Sequence, residues 1–240
     1  MKVSIGHIAA GVAALALLLL AAAGPVYRIG LVTIPNAFNI LRWGAYVGIA
    51  AIVVALVAGG LAYRRRARGA MAAAGLAFAA GLAALAIPFQ WQTTAQRLPR
   101  IHDVTTDLDN PPTYQAVVAL RADAPNSLDR PPDLAQQQRT GYPDLAPITL
   151  SMPPDQVFDR ALAVAQGEGW EIVTADKGSG RIEATDTTLW FGFKDDVVVR
   201  LTPWGSGTRV DVRSVSRVGG SDVGTNARRI RVFLDALQSE

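Results

Sequence analysis

His102 stands beside Asp103 and five residues before a second carboxylate, Asp107; the chain's only other histidine is His7. An imidazole flanked by carboxylates is the composition of a general base or a metal ligand. The alternative is that these groups hydrogen-bond the segment to a folded domain. Without a second nearby histidine the pattern is a weak metal signal. A second group, richer in charge, lies further along: Asp186, Asp195, Asp196, Arg213, Ser214, Ser216, Arg217, Asp222, Asn226 and Arg229. Its aspartates could serve as acid and base. Its arginines could grip an anionic ligand or partner with paired N–H donors. Its opposite charges could equally lock a helix onto a sheet. Ser214 and Ser216 have no histidine near them in sequence, so neither reads as a nucleophile. Trp190, Phe191 and Phe193 surround Gly192, forming either core or an exposed partner patch. The candidate binding or partner residues are therefore His102, Asp103, Asp107, Asp186, Trp190, Phe193, Arg213, Arg217, Asn226 and Arg229. No catalytic residue, metal set or cofactor is assigned. With no cysteine in the chain, disulfides and thiolate chemistry are excluded.

What positions these residues follows from a sharp split in composition. Before residue 89 there are seven basic residues and no Asp or Glu; all 20 acidic residues come later, leaving the remainder mildly acidic. The sequence pI near 9.5 therefore does not mark a nucleic-acid binder. Ile5 to Ala23, Trp43 to Tyr63 and Gly69 to Phe89 are apolar runs of about 20 residues, enough as helices to cross a bilayer core of roughly 30 Å. Residues 1–89 are thus expected to be a three-helix anchor. Arg64, Arg65, Arg66 and Arg68 lie between the second and third runs and are expected to stay in the cytoplasm. The N-terminus should then be cytoplasmic too, and everything after Phe89 outside. A cleaved signal peptide is the rival for the first run; its charged end carries only Lys2, which favours an uncleaved anchor. Gly44 and Gly48 have the spacing of close helix packing, common by chance in runs this rich in Ala and Gly. None of the three runs contains Asp, Glu, Lys or Arg, which argues against an ion pathway.

Residues 90–147 are rich in proline and weakly periodic, and are read as an ordered, extended arm. Tyr114 to Leu120 is expected to be a short helix or strand. Residues 148–240 alternate as strands and helices. Ile148 to Met152 is strand-like, and Pro153 and Pro154 open a helix that Gly167 and Gly169 end. Strands follow at Trp170 to Ala175, Arg181 to Thr187, Val197 to Thr202 and Thr208 to Val215. In the last of these, Val210 and Val212 are expected inward, with Arg209, Asp211 and Arg213 outward. Ser221 or Asp222 can cap a final helix, whose apolar stripe is expected to run from Val223 through Ala227, Ile230 and Leu234 to Leu237. The order β-α-β-β-β-β-α is an α+β fold: an antiparallel sheet with helices on one face.

Four separated stretches carry a family resemblance. They are IHDVTTD from Ile101 to Asp107 with Pro111 and Pro112, RIEATDTTLWFGFKDD from Arg181 to Asp196, VDVRSVSRVG from Val210 to Gly219, and SDVGTNARRI from Ser221 to Ile230. Over roughly residues 98–238 the chain resembles the DUF1499 family, in a membrane-anchored bacterial form. Gly220 departs from the pattern, where a larger or charged residue is expected. The resemblance implies an envelope or thylakoid-lumen location and no established reaction. The element order also looks like the helix-grip domains of outer-membrane assembly lipoproteins, by fold analogy alone.

The expected function is a non-enzymatic accessory, scaffold or assembly subunit of an envelope membrane complex. The alternative is a periplasmic module, tethered to the inner membrane, that binds a small molecule or lipid. The expected partners are the lipid bilayer and a membrane-protein complex, with no nucleic acid.

Overall fold

A computed structural model describes residues 5–239, which divide into two compact units. One comprises Met1–Thr94 together with the short segment Leu189–Gly192; the other comprises Ala95–Thr188 and Phe193–Glu240.

The first unit is built on three helices, α1 (Ile5–Arg28), α2 (Ile34–Arg64) and α3 (Arg68–Arg97). Each is long and apolar enough to cross a membrane. They run beyond the apolar stretches, and α1 and α3 contain Pro25 and Pro88 within their spans. Small residues bring the helices together: Ala9 and Ala13 of α1, Ala51, Ala55 and Ala58 of α2, and Ala74 and Ala77 of α3 share one buried cluster. Between apolar helices in lipid, close van der Waals packing supplies the attraction. Gly44 and Gly48 serve two different partners. A Cβ on Gly44 would lie 3.2 Å from the Leu20 side chain of α1, whereas one on Gly48 would lie 3.0 Å from Ala84 of α3.

In the second unit every strand pairing is antiparallel. The strands are β1 (Asp103–Thr105), β2 (Ile148–Leu150), β3 (Glu171–Asp176), β4 (Arg181–Thr187), β5 (Lys194–Trp204) and β6 (Gly207–Ser216). Their order is β1-β6-β5-β4-β3, with β2 also paired to β6. The remaining elements are a 3₁₀ turn (Val117–Arg121), α4 (Leu134–Gly141), α5 (Pro154–Gly167) and α6 (Thr225–Ser239). Val197, Val199, Leu201, Val210 and Val212 face α5 and α6, packing on Val157, Phe158, Ile230 and Leu237. Trp170 stacks on Phe233 with ring centroids 5.1 Å apart. Phe233→Ala would cost about 3–5 kcal/mol through the cavity it leaves.

The order of elements expected over residues 148–240 is present, but the sheet has a sixth strand, β1, from within the arm. The arm also contributes α4 and the 3₁₀ turn. It covers the second face of the sheet, where Tyr114 and Val117 pack on Val198 and Val215. This corrects the expectation that Asp211 and Arg213 point outward: both are buried. The alternation was real, but the face assigned to water belongs to the arm. Arg209, from the same row, remains half-buried. Val223 also departs from its expected place on the α6 stripe. It precedes the helix, is exposed, and holds φ 51°.

Candidate functional site

The polar residues of the second unit form one set on each face of the sheet. Strand parity explains the division, since alternate side chains point to opposite faces.

On the helix face, Arg229 of α6 reaches two carboxylates. Its Nη2 lies 2.7 Å from Asp186 Oδ2 and 2.6 Å from Asp195 Oδ2. Its Nη1 donates to Ser214 Oγ at 3.0 Å and Asn226 Oδ1 at 2.5 Å. The Asn226 amide then donates to Ser216 Oγ and to the His102 carbonyl, both at 3.0 Å. That carbonyl also accepts from the Ser216 amide at 2.9 Å. His102 thus ties β1 to β6 and α6 through its backbone. Burial lowers its imidazole pKa, Asp103 opposes the shift and Arg121 adds to it. Asp222 accepts from the amides of Asn226 at 2.6 Å and Gly224 at 3.1 Å, capping α6. Burial raises its pKa, the two amides oppose the rise, and the charge on Asp195 adds to it.

On the arm face, seven arginines interleave with five carboxylates. Asp103 is shared: Arg213 meets it through Nε at 3.1 Å and Nη2 at 2.8 Å, and Arg130 approaches from the arm. Asp196 is shared likewise, with Arg217 bound through two nitrogens at 2.9 and 2.8 Å and Arg121 at 2.5 Å. Asp107 lies 3.1 Å from Arg200 and 2.8 Å from Arg209. The surplus of arginine donors goes to backbone carbonyls of the arm. Arg213 donates to Pro112 O and Leu128 O, Arg121 to Asn126 O, Arg200 to Asn110 O, and Arg181 to Thr113 O. Glu183 takes the complementary role, accepting from the amides of Gln115 at 2.8 Å and Val117 at 3.0 Å. An irregular segment has no ladder of its own, so its buried peptide groups need side-chain partners.

Two further residues fix the arm. The buried Tyr114 hydroxyl donates toward the carbonyls of Asp196 at 2.8 Å and Arg213 at 3.0 Å. Burial raises its pKa well above the ordinary tyrosine value. Gln138 of α4 accepts from the Thr105 amide at 3.1 Å and donates to the Thr105 carbonyl at 2.5 Å. It does for the edge strand β1 what another strand would do, closing an edge that could otherwise pair with a foreign chain.

The structure therefore separates residues that the sequence presents together. His102 is held through its backbone carbonyl by Ser216 and Asn226, Asp103 meets Arg130 and Arg213, and Asp107 joins Arg200, Arg209 and Asp211. Arg213 and Arg217 share the arm face; Asp186, Asn226 and Arg229 share the helix face. Phe193 closes the β4–β5 connection, its amide donating to Thr188 Oγ1 at 2.8 Å. Trp190 belongs to the first unit, where its indole N–H donates to the Ala21 carbonyl at 3.2 Å. Sequence reasoning missed Tyr114, Arg121, Arg130, Gln138 and Glu183. A signal existed in Val197, Val198 and Val199, a run of consecutive apolar residues that marks a strand covered on both faces.

An open concavity of about 520 Å³ lies beside α4, lined by residues including Arg97, Pro99, Asp133, Gln137 and Thr140. Among the described residues, no group of three or more His, Cys, Asp or Glu side chains could hold a metal ion.

Comparison with known proteins agrees with this architecture in one respect. A search of curated proteins finds no match. A family model described as a protein of unknown function, DUF1499, matches residues 103–237, from β1 into the last turns of α6. The matched span includes the covering segment and the sheet as one piece, and on that match the chain belongs to the DUF1499 family.

Proposed function

We propose that the protein is a non-enzymatic, membrane-anchored accessory or scaffold subunit of an envelope complex. One observation carries this reading: the side chains best suited to chemistry are engaged in holding the fold together. Asp103, Asp196, Arg213 and Arg229 each satisfy two or more partners in buried surroundings. An acid–base catalyst needs a group poised to exchange a proton with substrate. A buried carboxylate bound by two arginines is committed to those partners instead. The candidate residues of the α+β domain accordingly act by holding together the fold that a partner would meet.

The arginines between α2 and α3 favour a cytoplasmic loop. The N-terminus is then cytoplasmic and the α+β domain periplasmic, in a bacterial inner membrane. Crosslinking in intact cells, followed by mild detergent extraction and pull-down, tests the role. The expected result is one or more membrane proteins recovered in fixed ratio with the chain. Recovery of the 25.4 kDa chain alone would contradict it.

A further inference from the structure

The segment Leu189–Gly192, which joins β4 to β5, belongs to the helical unit. Its four residues point in different directions for identifiable reasons. Phe191 is buried, with its ring 5.6 Å from Phe38 and 6.1 Å from Tyr27. Trp190 lies edge-on to Trp91 at 5.2 Å and gives its N–H to Ala21 O. Arg28 donates to the Leu189 carbonyl at 3.2 Å. The Leu189 side chain is 92% exposed, the highest value among the large hydrophobic residues described. The same unit exposes further aromatic rings, among them Phe89 and Trp91 of α3 and Phe38, Trp43 and Tyr46 of α2. The N-terminal part of α2 and the C-terminal part of α3 supply these rings, the helix ends away from Arg64–Arg68. From Thr188 to Phe193 the chain carries no charge.

Tryptophan and tyrosine concentrate where hydrocarbon meets headgroups, and arginine there extends its head toward the phosphates. We infer that Leu189–Gly192 is a membrane-interface element, with the Leu189 side chain inserted among the acyl chains of the bilayer. The occupant of this surface is lipid. Leu189 adds apolar area that water would otherwise cover, and the one polar group in the Trp190 side chain is already satisfied within the protein. The inference rests on the reading of α1–α3 as membrane spans.

The absence of cysteine makes the test direct. Leu189→Cys, Leu18→Cys in α1 and Ser206→Cys at the β5–β6 turn are each labelled with a nitroxide. The full chain is reconstituted in vesicles of phosphatidylcholine and phosphatidylglycerol. Collision rates with oxygen, which concentrates in lipid, and with a nickel chelate, which stays in water, are compared. Positions 189 and 18 should both favour oxygen, and position 206 the nickel chelate. If 189 follows 206 while 18 remains oxygen-rich, the inference fails and the spans stand. Shielding of 189 from both reagents means that protein covers it, which also overturns the inference. If 18 favours nickel, the membrane-span reading falls as well.

Discussion

The Trp190 indole N–H donates to the carbonyl of Ala21, 3.2 Å away. Ala21 lies four residues before Pro25, which has no amide hydrogen to return the helical bond. A carbonyl left without a donor in an apolar medium costs several kcal/mol. Trp190 supplies the missing donor, and Gly24 makes room for it.

Gly24→Ala should therefore be far costlier than the same change at Gly11, although both sit in α1. A Cβ at Gly24 would lie 2.5 Å from Trp190 Cδ1 and 2.6 Å from Trp190 O, whereas one at Gly11 meets nothing within 4 Å. Trp190→Phe keeps the ring and loses the N–H, at a cost of about 1–3 kcal/mol for the unsatisfied acceptor. Thermal melts of the full chain in mild detergent should show Gly24→Ala and Trp190→Phe below wild type and Gly11→Ala close to it. Equal melting of the two alanine variants would refute this packing.

Glu183 should protect a stretch of the arm without touching its other attachments. Its carboxylate accepts from the amides of Gln115 and Val117, while Thr106 N bonds to Val212 O at 2.9 Å. In Glu183→Ala, hydrogen exchange should rise over residues 113–118 and stay slow over 103–106. Uniform acceleration of the whole arm would mean that it opens as a single unit.

Asp222 carries a pH dependence of defined sign. Burial raises its folded pKa above the ordinary value of 3.8, against the opposing amide bonds. The folded state holds the proton more tightly than the unfolded state. The stability this contributes is fully present below pH 3.8 and is lost as pH rises through the raised folded value. Melts of wild type and Asp222→Asn across this range should differ most in favour of wild type at acid pH. An advantage of wild type that grows with pH would reverse the assignment.

Much of the architecture was legible because local chemistry dictates it. Apolar runs of bilayer length, Pro153 and Pro154 before α5, and alternation in β4 and β6 each leave a direct mark on the sequence. The arm left a weaker one. Its ordering comes from contacts made more than 60 residues away, such as Gln115 with Glu183 and Asp103 with Arg213. No local period records which strand face those partners occupy. Trp190 was identifiable as an aromatic worth placing, but its task depends on Pro25 freeing a carbonyl 169 residues away. The candidate site suffered most for the same reason: neighbours in sequence such as Asp195 and Asp196 occupy opposite faces, one with Arg229 and the other with Arg217.

Asp103→Asn tests most directly whether the buried ionic groups hold the fold. Asp103 is shared by Arg130 and Arg213, so its loss of charge leaves two arginines facing one another. Removing one member of a buried pair costs about 3–5 kcal/mol. Arg217→Ala should cost less, because Asp196 keeps Arg121, and loss of the exposed Arg231–Asp144 pair only about 0–1 kcal/mol. Equilibrium unfolding of the full chain in detergent should rank the three in that order, with Asp103→Asn lowest by several kcal/mol. An Asp103→Asn protein as stable as wild type, yet unable to associate with its membrane partners, would contradict the structural role and make the cluster a partner-binding site.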